Sequence, residues 1–247
     1  MKKITEYKEL SPLIMRYYKR GVLTNNFLSK EDYLSEISEG RLFYESSDMF
    51  LCLYVLRDDF YQLYFYALSD EVVLPVADRD LVCDCVGHED FLCKNGFTKL
   101  MTRTKLECSD TGKIFLNETL VAEHKDANCV FKLMSDVFNP ITGYVPTHTK
   151  IQNECLNGLI YKVVCDNKVV AVLRLAVSAK SVQIKHLCVD NLFQGRGFGK
   201  KLCVAALSHG KNCSVWTGEE NLSALNLYKS FGFKESGLKS AVYRKEV

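Results

Sequence analysis

Residues 193–201 read FQGRGFGKK, the run whose residue types and spacing are best suited to chemistry. It follows a predicted strand and opens a predicted helix. Gly195, Gly197 and Gly199 alternate along it, and glycine follows turns that a Cβ forbids. The N–H groups of such a turn converge on an anion, and a helix start adds the positive end of its dipole. Arg196 and Lys200 bring positive charge to the same place. The pattern is that of a phosphate cradle. Spacing excludes two kinds of cradle. A Walker A loop places Ser or Thr after Gly-Lys, where this chain has Lys201, and its first glycine falls on Gln194. A dinucleotide fingerprint counted from Gly195 requires glycine at Lys200. The pattern that fits is Gln/Arg-x-x-Gly-x-Gly/Ala, from Gln194 to Gly199.

A second motif follows at Asn221, Ala224, Leu227-Tyr228 and Gly232-Phe233, which reads N-x2-A-x2-L-Y-x3-G-F. Together with Leu187-Cys188-Val189, which ends the strand before the glycine run, these residues resemble the GNAT superfamily of acyl-CoA-dependent N-acetyltransferases. The resemblance is strong over about Leu120–Val247 and weak from the start of the chain to about Lys113. It implies an α/β fold with a mixed β-sheet flanked by helices. It also implies that Gln194, Gly195, Arg196, Gly197, Phe198, Gly199 and Lys200 hold the pyrophosphate of coenzyme A. Leu187, Cys188 and Val189 are implied to offer backbone groups to the pantetheine arm and the acetyl carbonyl. Asn221 is implied to touch the arm, and Tyr228 to act as general acid at the sulfur. Acetyl-CoA is then the acyl-donor cosubstrate, and the acceptor is a small-molecule or peptide amine. One departure is Asn191, where many members carry proline.

The chemistry is coherent on its own terms. An amine attacks a thioester carbonyl, and a backbone N–H at a strand edge can steady the oxyanion. The leaving thiol has a pKa of about 8.5, so a tyrosine hydroxyl needs to give only modest help, whereas a lysine-like amine at about 10.4 must first lose a proton. The base is not evident; His186, Glu219 and Glu220 are the candidates. Tyr228 also reads as a core aromatic, with Leu225 and Phe231 three residues to either side. Cys188 reads as a core thiol rather than a nucleophile, since no base is placed to activate it. An alternative of another class is a non-catalytic acyl-CoA-binding sensor or interaction protein with the same fold.

Several elements must position these residues. Two helical pieces span about residues 5–40, broken near Gly21 and Asn25-Asn26. Strands follow at Arg41–Glu45, Met49–Leu56 and Phe60–Leu68, then an apolar run Glu71–Val86 carrying Pro75, a helix Glu89–Lys94 and a strand Thr98–Cys108. Ser109–Lys113 is a candidate linker. Beyond it come helices at Ala127–Phe138 and Thr149–Asn157, joined by a loop, Asn139–Thr149, that would shape the acceptor pocket. A hairpin turns at Asp166-Asn167-Lys168 between Leu159–Cys165 and Val169–Val177. Ser181–Val189, a helix to Ser208, Cys213–Trp216, the helix from Asn221 and a last strand at Leu238–Arg244 complete the order. The division expected is 1–113, a degenerate GNAT-like lobe, and 114–247, the catalytic GNAT domain. A short repeat supports two lobes: Leu92 to Phe97 resembles Tyr228 to Phe233, with Leu92 at the tyrosine's place.

Composition bounds the rest. The chain has 247 residues, 47% hydrophobic and 25% charged, with a net charge of +2. This is ordinary globular composition, and the weak field gives no footprint for nucleic acid or an anionic membrane. No stretch reaches the ~20 apolar residues of a membrane helix; the longest, Val169–Val177, is interrupted by Arg174. The 11 cysteines, an odd number spread along the chain, read as reduced thiols in a cytoplasmic protein rather than a disulfide scaffold. Cys83, Cys85, His88 and Cys93 lack the usual zinc spacing, so no metal is expected. A monomer or homodimer is the expected state.

Overall fold

The computed structural model describes residues 1–109 and 119–247. Of the candidate linker, residues 110–113 lie outside the described residues, and so does the expected division at 113. The architecture is mixed α/β. Two compact units form, one of residues 1–102 with 239–247 and the other of residues 103–238.

The first unit contains β1 (Lys2–Lys3), α1 (Tyr7–Tyr17), β2 (Leu23–Thr24), α2 (Lys30–Ser38), β3 (Leu42–Ser46), β4 (Phe50–Leu56), β5 (Phe60–Ala67), β6 (Asp80–Cys85), α3 (Glu89–Lys94) and the start of β7 (Thr98–Cys108). Its helices start where their caps dictate. The Ser29 side chain accepts from Asp32 N at 3.2 Å while the Asp32 carboxylate accepts from Ser29 N, a reciprocal pair that satisfies two otherwise orphaned donors. β4 and β5 pair along their full length, and their alternate residues Cys52, Tyr54, Leu63 and Phe65 pack with Leu81, Phe91 and Leu92 into one core.

The second unit contains the rest of β7, β8 (Leu120–Val121), α4 (Ala127–Val137), α5 (His148–Leu156), β9 (Ile160–Cys165), β10 (Lys168–Val177), β11 (Ser181–Val189), α6 (Phe198–Leu207), β12 (Asn212–Gly218), α7 (Leu222–Ser230) and the start of β13 (Lys234–Lys245). The β9–β10 hairpin turns on Asp166 and Asn167, both at positive φ, as a two-residue primed turn requires. In the first unit the sheet order is β1-β3-β4-β5-β6 with the end of β13 at its edge; in the second it is β7-β12-β11-β10-β9-β8. Each sheet is thus completed by a strand that reaches it from the other half of the sequence: Ala241 pairs with Cys85, and Cys108 with Cys213.

Two segments gain definition in the structure. Of the apolar run Glu71–Val86, only Asp80–Cys85 is a strand. Pro75 removes a ladder donor, and the Asn95 side chain fixes the segment as a loop instead. Its Oδ1 accepts from Leu74 N at 2.6 Å and its Nδ2 donates to Val72 O at 3.2 Å. The break between the first two helices is not merely a loop, because Leu23–Thr24 pairs with β5.

That pairing answers a backbone problem. β5 and β6 run parallel and pair only from Phe60 to Gln62 before they part. Buried strand edges must still be hydrogen-bonded. β2 covers one stretch of the β5 edge, with Leu23 opposite Ala67. The buried Asn25 staples the gap: its Nδ2 donates to Leu63 O at 3.0 Å and Asp84 O at 3.2 Å, and its Oδ1 accepts from Phe65 N at 2.8 Å. Asn25→Ala leaves these three groups without that partner, so it is expected to cost about 2–4 kcal/mol in denaturant unfolding with an unchanged m-value. A loss below about 1 kcal/mol would show that water or a shifted backbone serves equally well.

Candidate functional site

In the second unit the equivalent gap lies between β11 and β12. These strands run parallel from Ser181/Asn212 to Ile184/Val215, and there the ladder ends. Beyond it, β11 stays paired with β10 as far as Val189, while its other edge faces no described strand. A β-bulge at Lys185 marks the point of parting, since Arg174 lies opposite His186 and Leu175 opposite Ile184. One extra residue reverses the side-chain alternation beyond it. Val182, Ile184, Leu187 and Val189 therefore all pack on the α6 side, and Cys188 turns to the core beneath α4 and α5.

The glycine run sits at the end of this open edge. Gly195 has φ +76° and Gly197 φ +84°, conformations glycine adopts without strain. A Cβ at either position would meet no described atom within 4 Å. Gly197 is the N-cap of α6, and the backbone N–H groups of residues 195–200 donate to no described residue. These six donors fit a pyrophosphate, whose oxygens need several hydrogen bonds when they leave water. The neighbouring side chains are held back from the turn. The Gln194 amide donates to Asn191 Oδ1 at 2.9 Å, and the Arg196 guanidinium lies 4.9 Å from the centroid of the Phe193 ring. Lys200 is exposed.

α7 closes the third side. A Cβ at Gly199 would come within 3.3 Å of Leu227 Cδ2 and 3.9 Å of Leu187 Cδ2, so the glycine run, α7 and the end of β11 meet there. Asn221 caps α7, its Oδ1 accepting from Ala224 N at 3.0 Å. That oxygen is committed to the helix; the amide nitrogen is the group left to meet a ligand. Tyr228 is 4% exposed, with its ring 5.5 Å from that of Phe233, and burial raises its hydroxyl pKa. The hydroxyl therefore stays protonated. Cys188 is a buried thiol whose pKa burial pushes up to about 12, which leaves it no nucleophilic thiolate at neutral pH.

His186 does not have the surroundings of a base. Its Nε2 lies 2.8 Å from Gly143 O and its Nδ1 3.3 Å from Arg174 Nη1. A carbonyl only accepts and a guanidinium only donates, so Nε2 carries the hydrogen and Nδ1 is the bare acceptor. Burial first, and the adjacent Arg174 charge second, push its pKa down to about 3. Arg174 in turn grips Glu154 of α5 with two bonds of 2.5 and 2.6 Å. The sequence signal for this buried network was an arginine in the middle of the apolar strand Val169–Val177. Glu219 is half-buried beside the start of α7 and Glu220 is exposed.

Residues 157–235, which hold the open β11 edge, the glycine run and α7, match the family model described as an acetyltransferase (GNAT) domain. No curated protein matches the chain. Among solved structures, an acetyltransferase of the GNAT family from Colwellia psychrerythraea is 12% identical and aligns over 100% of this chain and 99% of its own, with a TM-score of 0.61. A GCN5-related N-acetyltransferase from Sphaerobacter thermophilus is 13% identical over 80% of this chain and 76% of its own, with a TM-score of 0.60. A tandem GNAT protein from the clavulanic acid biosynthesis pathway is 11% identical over 82% and 81%, with a TM-score of 0.52. At these identities the likeness is one of fold.

The first unit repeats a local frame of the second without its glycine run. Phe97 N donates to Leu92 O at 3.0 Å, as Phe233 N donates to Tyr228 O at 3.2 Å. Gly96 at φ +80° matches Gly232 at φ +82°, so Leu92 and Tyr228 occupy equivalent places. Between β5 and β6 there is no glycine at all, and Asn25 and β2 take up the parted edge. Titration calorimetry with acetyl-CoA is therefore expected to count one site per chain; two equivalent sites would mean that the Asn25 staple opens. In the same titration, Gly197→Val is expected to weaken binding by more than about tenfold, or ~1.4 kcal/mol. Unchanged affinity would remove the cradle role from the glycine run.

Proposed function

We propose that the protein is an N-acetyltransferase that moves an acetyl group from acetyl-CoA to an amine by direct attack. The observation that carries this reading is the adjacency of six backbone N–H groups without a described partner, at residues 195–200, to the open edge of β11. In it, the catalytic lobe, expected from the sequence at 114–247, is the unit of residues 103–238, and the degenerate GNAT-like lobe without a cofactor, expected at 1–113, is the unit of residues 1–102 with 239–247. The description of the solved structure from the clavulanic acid pathway as a tandem GNAT protein supports the two-lobe reading.

When bound, acetyl-CoA supplies a thioester carbonyl open to attack. The chain's part is binding, orientation and charge. The N–H groups from Gly195 to Lys200 bind the pyrophosphate, with Lys200 and Arg196 adding charge nearby. The backbone of Leu187, Cys188 and Val189 pairs with the pantetheine arm as a neighbouring strand would, and one N–H at this edge faces the carbonyl oxygen as it gains charge. The Asn221 amide nitrogen steadies the arm from α7. Tyr228 serves as the acid group at the sulfur: its hydroxyl donates a hydrogen bond to the leaving thiolate as negative charge gathers there. The amine arrives as the free base or loses its proton to water, since His186 has no nitrogen free to take one. The acceptor is a small-molecule or peptide amine.

The burial of Tyr228, without a hydrogen bond to a described residue, favours a second reading: an acyl-CoA-binding sensor in which this residue is only core. Thiol release from acetyl-CoA across an amine library separates the two, because a sensor binds without turnover. On the enzymatic reading, Tyr228→Phe keeps thermal stability and acetyl-CoA affinity and lowers kcat by roughly 10²-fold. A fall in stability with normal turnover per folded molecule would assign Tyr228 to the core alone.

A further inference from the structure

The turn that follows α4 is wound tightly. Asn139 Oδ1 accepts from Ile141 N at 2.9 Å and Thr142 N at 3.1 Å. A Cβ at Gly143 would lie 2.5 Å from Phe138 Cβ and 2.6 Å from Asn139 O, so only glycine fits there. Tyr144 sits at φ +57°, a left-handed conformation that a bulky side chain rarely adopts. Such a backbone persists only where its surroundings hold it. Two side chains do so, on consecutive carbonyls: Arg103 donates to Thr142 O, and His186 Nε2 to Gly143 O. The Phe138 ring stands edge-on to the His186 ring, with centroids 5.0 Å apart.

His186 belongs to the stretch of β11 whose far edge is open, directly before Leu187. Its ring is itself fixed from behind by Arg174, and Arg174 by the two-bond grip of Glu154, a residue of the helix that follows the same loop. Both ends of the Asn139–Thr147 segment are thereby tied to one point on β11: the turn through Gly143, and α5 through Glu154. A buried ion pair is a poor means of adding stability, since an apolar replacement often does as well. It is a good means of fixing one geometry. We infer that Glu154, Arg174 and His186 are positioning residues that set the acceptor loop against the open end of β11, and so govern how the amine binds. This inference rests on the acyl-transfer reading above.

The test uses the full chain with His186→Leu and His186→Gln, acetyl-CoA as donor and an amine found in the thiol-release screen. His186→Leu is expected to raise the KM for the amine by about tenfold or more, with the KM for acetyl-CoA changed less than about twofold. Amide hydrogen exchange at residues 141–145 should quicken in the same variant, with the α6 amides unchanged. His186→Gln can donate to Gly143 O and accept from Arg174, and it should return both readouts to within about threefold of the parent. Equal changes in both KM values, or unaltered exchange at the turn, would overturn the proposal. If His186→Leu does not fold, Glu154→Gln, which keeps the side-chain shape and removes the charge, is read in the same two ways. If no amine is acetylated by the parent protein, the acyl-transfer reading fails, and with it the acceptor role. The exchange measurement still decides whether the clamp holds the turn.

Discussion

Two parallel strands that pair for a few residues and then part leave backbone donors and acceptors that something must satisfy. The chain meets this constraint twice, with opposite outcomes. In the first unit β5 and β6 part after Gln62, and the molecule fills the gap with its own amide, Asn25, and its own two-residue strand, β2. In the second unit β11 and β12 part after Ile184, and the open edge runs toward six N–H groups without a described partner. A filled gap is a structural solution; on the acyl-transfer reading, the open one beside an anion-ready helix start takes a ligand that is extended at one end and charged at the other. The difference between the units lies in what occupies the gap, since the strands are laid out alike.

The bulge at Lys185 links this opening to the interior. Without it the alternation of β11 would send His186 and Cys188 toward α6, and Leu187 and Val189 toward α4 and α5. With it, the apolar pair stays in the α6 core, and His186 can meet both Arg174 across the ladder and Gly143 of the loop above. The bulge at the point of parting thus also brings a strand residue to the loop at Gly143. His186 held as a neutral double partner, rather than as a base, follows from that placement.

Features that depend on local rules were legible from the residues. The Asp166-Asn167 turn, the helix starts at Ser29 and Asn221, the αL glycines after α3 and α7 and the anion-ready run from Gln194 all have their causes within a few positions of themselves. Features with distant causes were not. Asn25 reads locally as a helix breaker, and only β5 and β6, some 40 and 59 residues away, make it a staple. The run from Glu71 is apolar enough for a strand, yet Asn95 holds its backbone as a loop. The sheet each of these strands joins leaves no mark at all, because Thr98–Cys108 and Lys234–Lys245 would read as strands whichever sheet they joined.

The equivalence of Leu92 and Tyr228 sharpens what a tyrosine can contribute at that place. The frame there, a helix ending in an αL glycine with a bond back from the following phenylalanine, is built identically around a leucine in the first unit. Apolar packing is therefore the default content of the position, and the ring of Tyr228 satisfies it against Phe233. The hydroxyl is the addition. Burial raises its pKa, so a thiol with a pKa near 8.5 would remain far the stronger acid. A donor so mismatched transfers no proton outright to a thiolate, but it gives a hydrogen bond that strengthens as negative charge gathers on sulfur. On the acyl-transfer reading, then, the leaving group departs as a hydrogen-bonded thiolate. On that reading a single O–H, set against the Phe233 ring, suffices, because the departing sulfur needs little help.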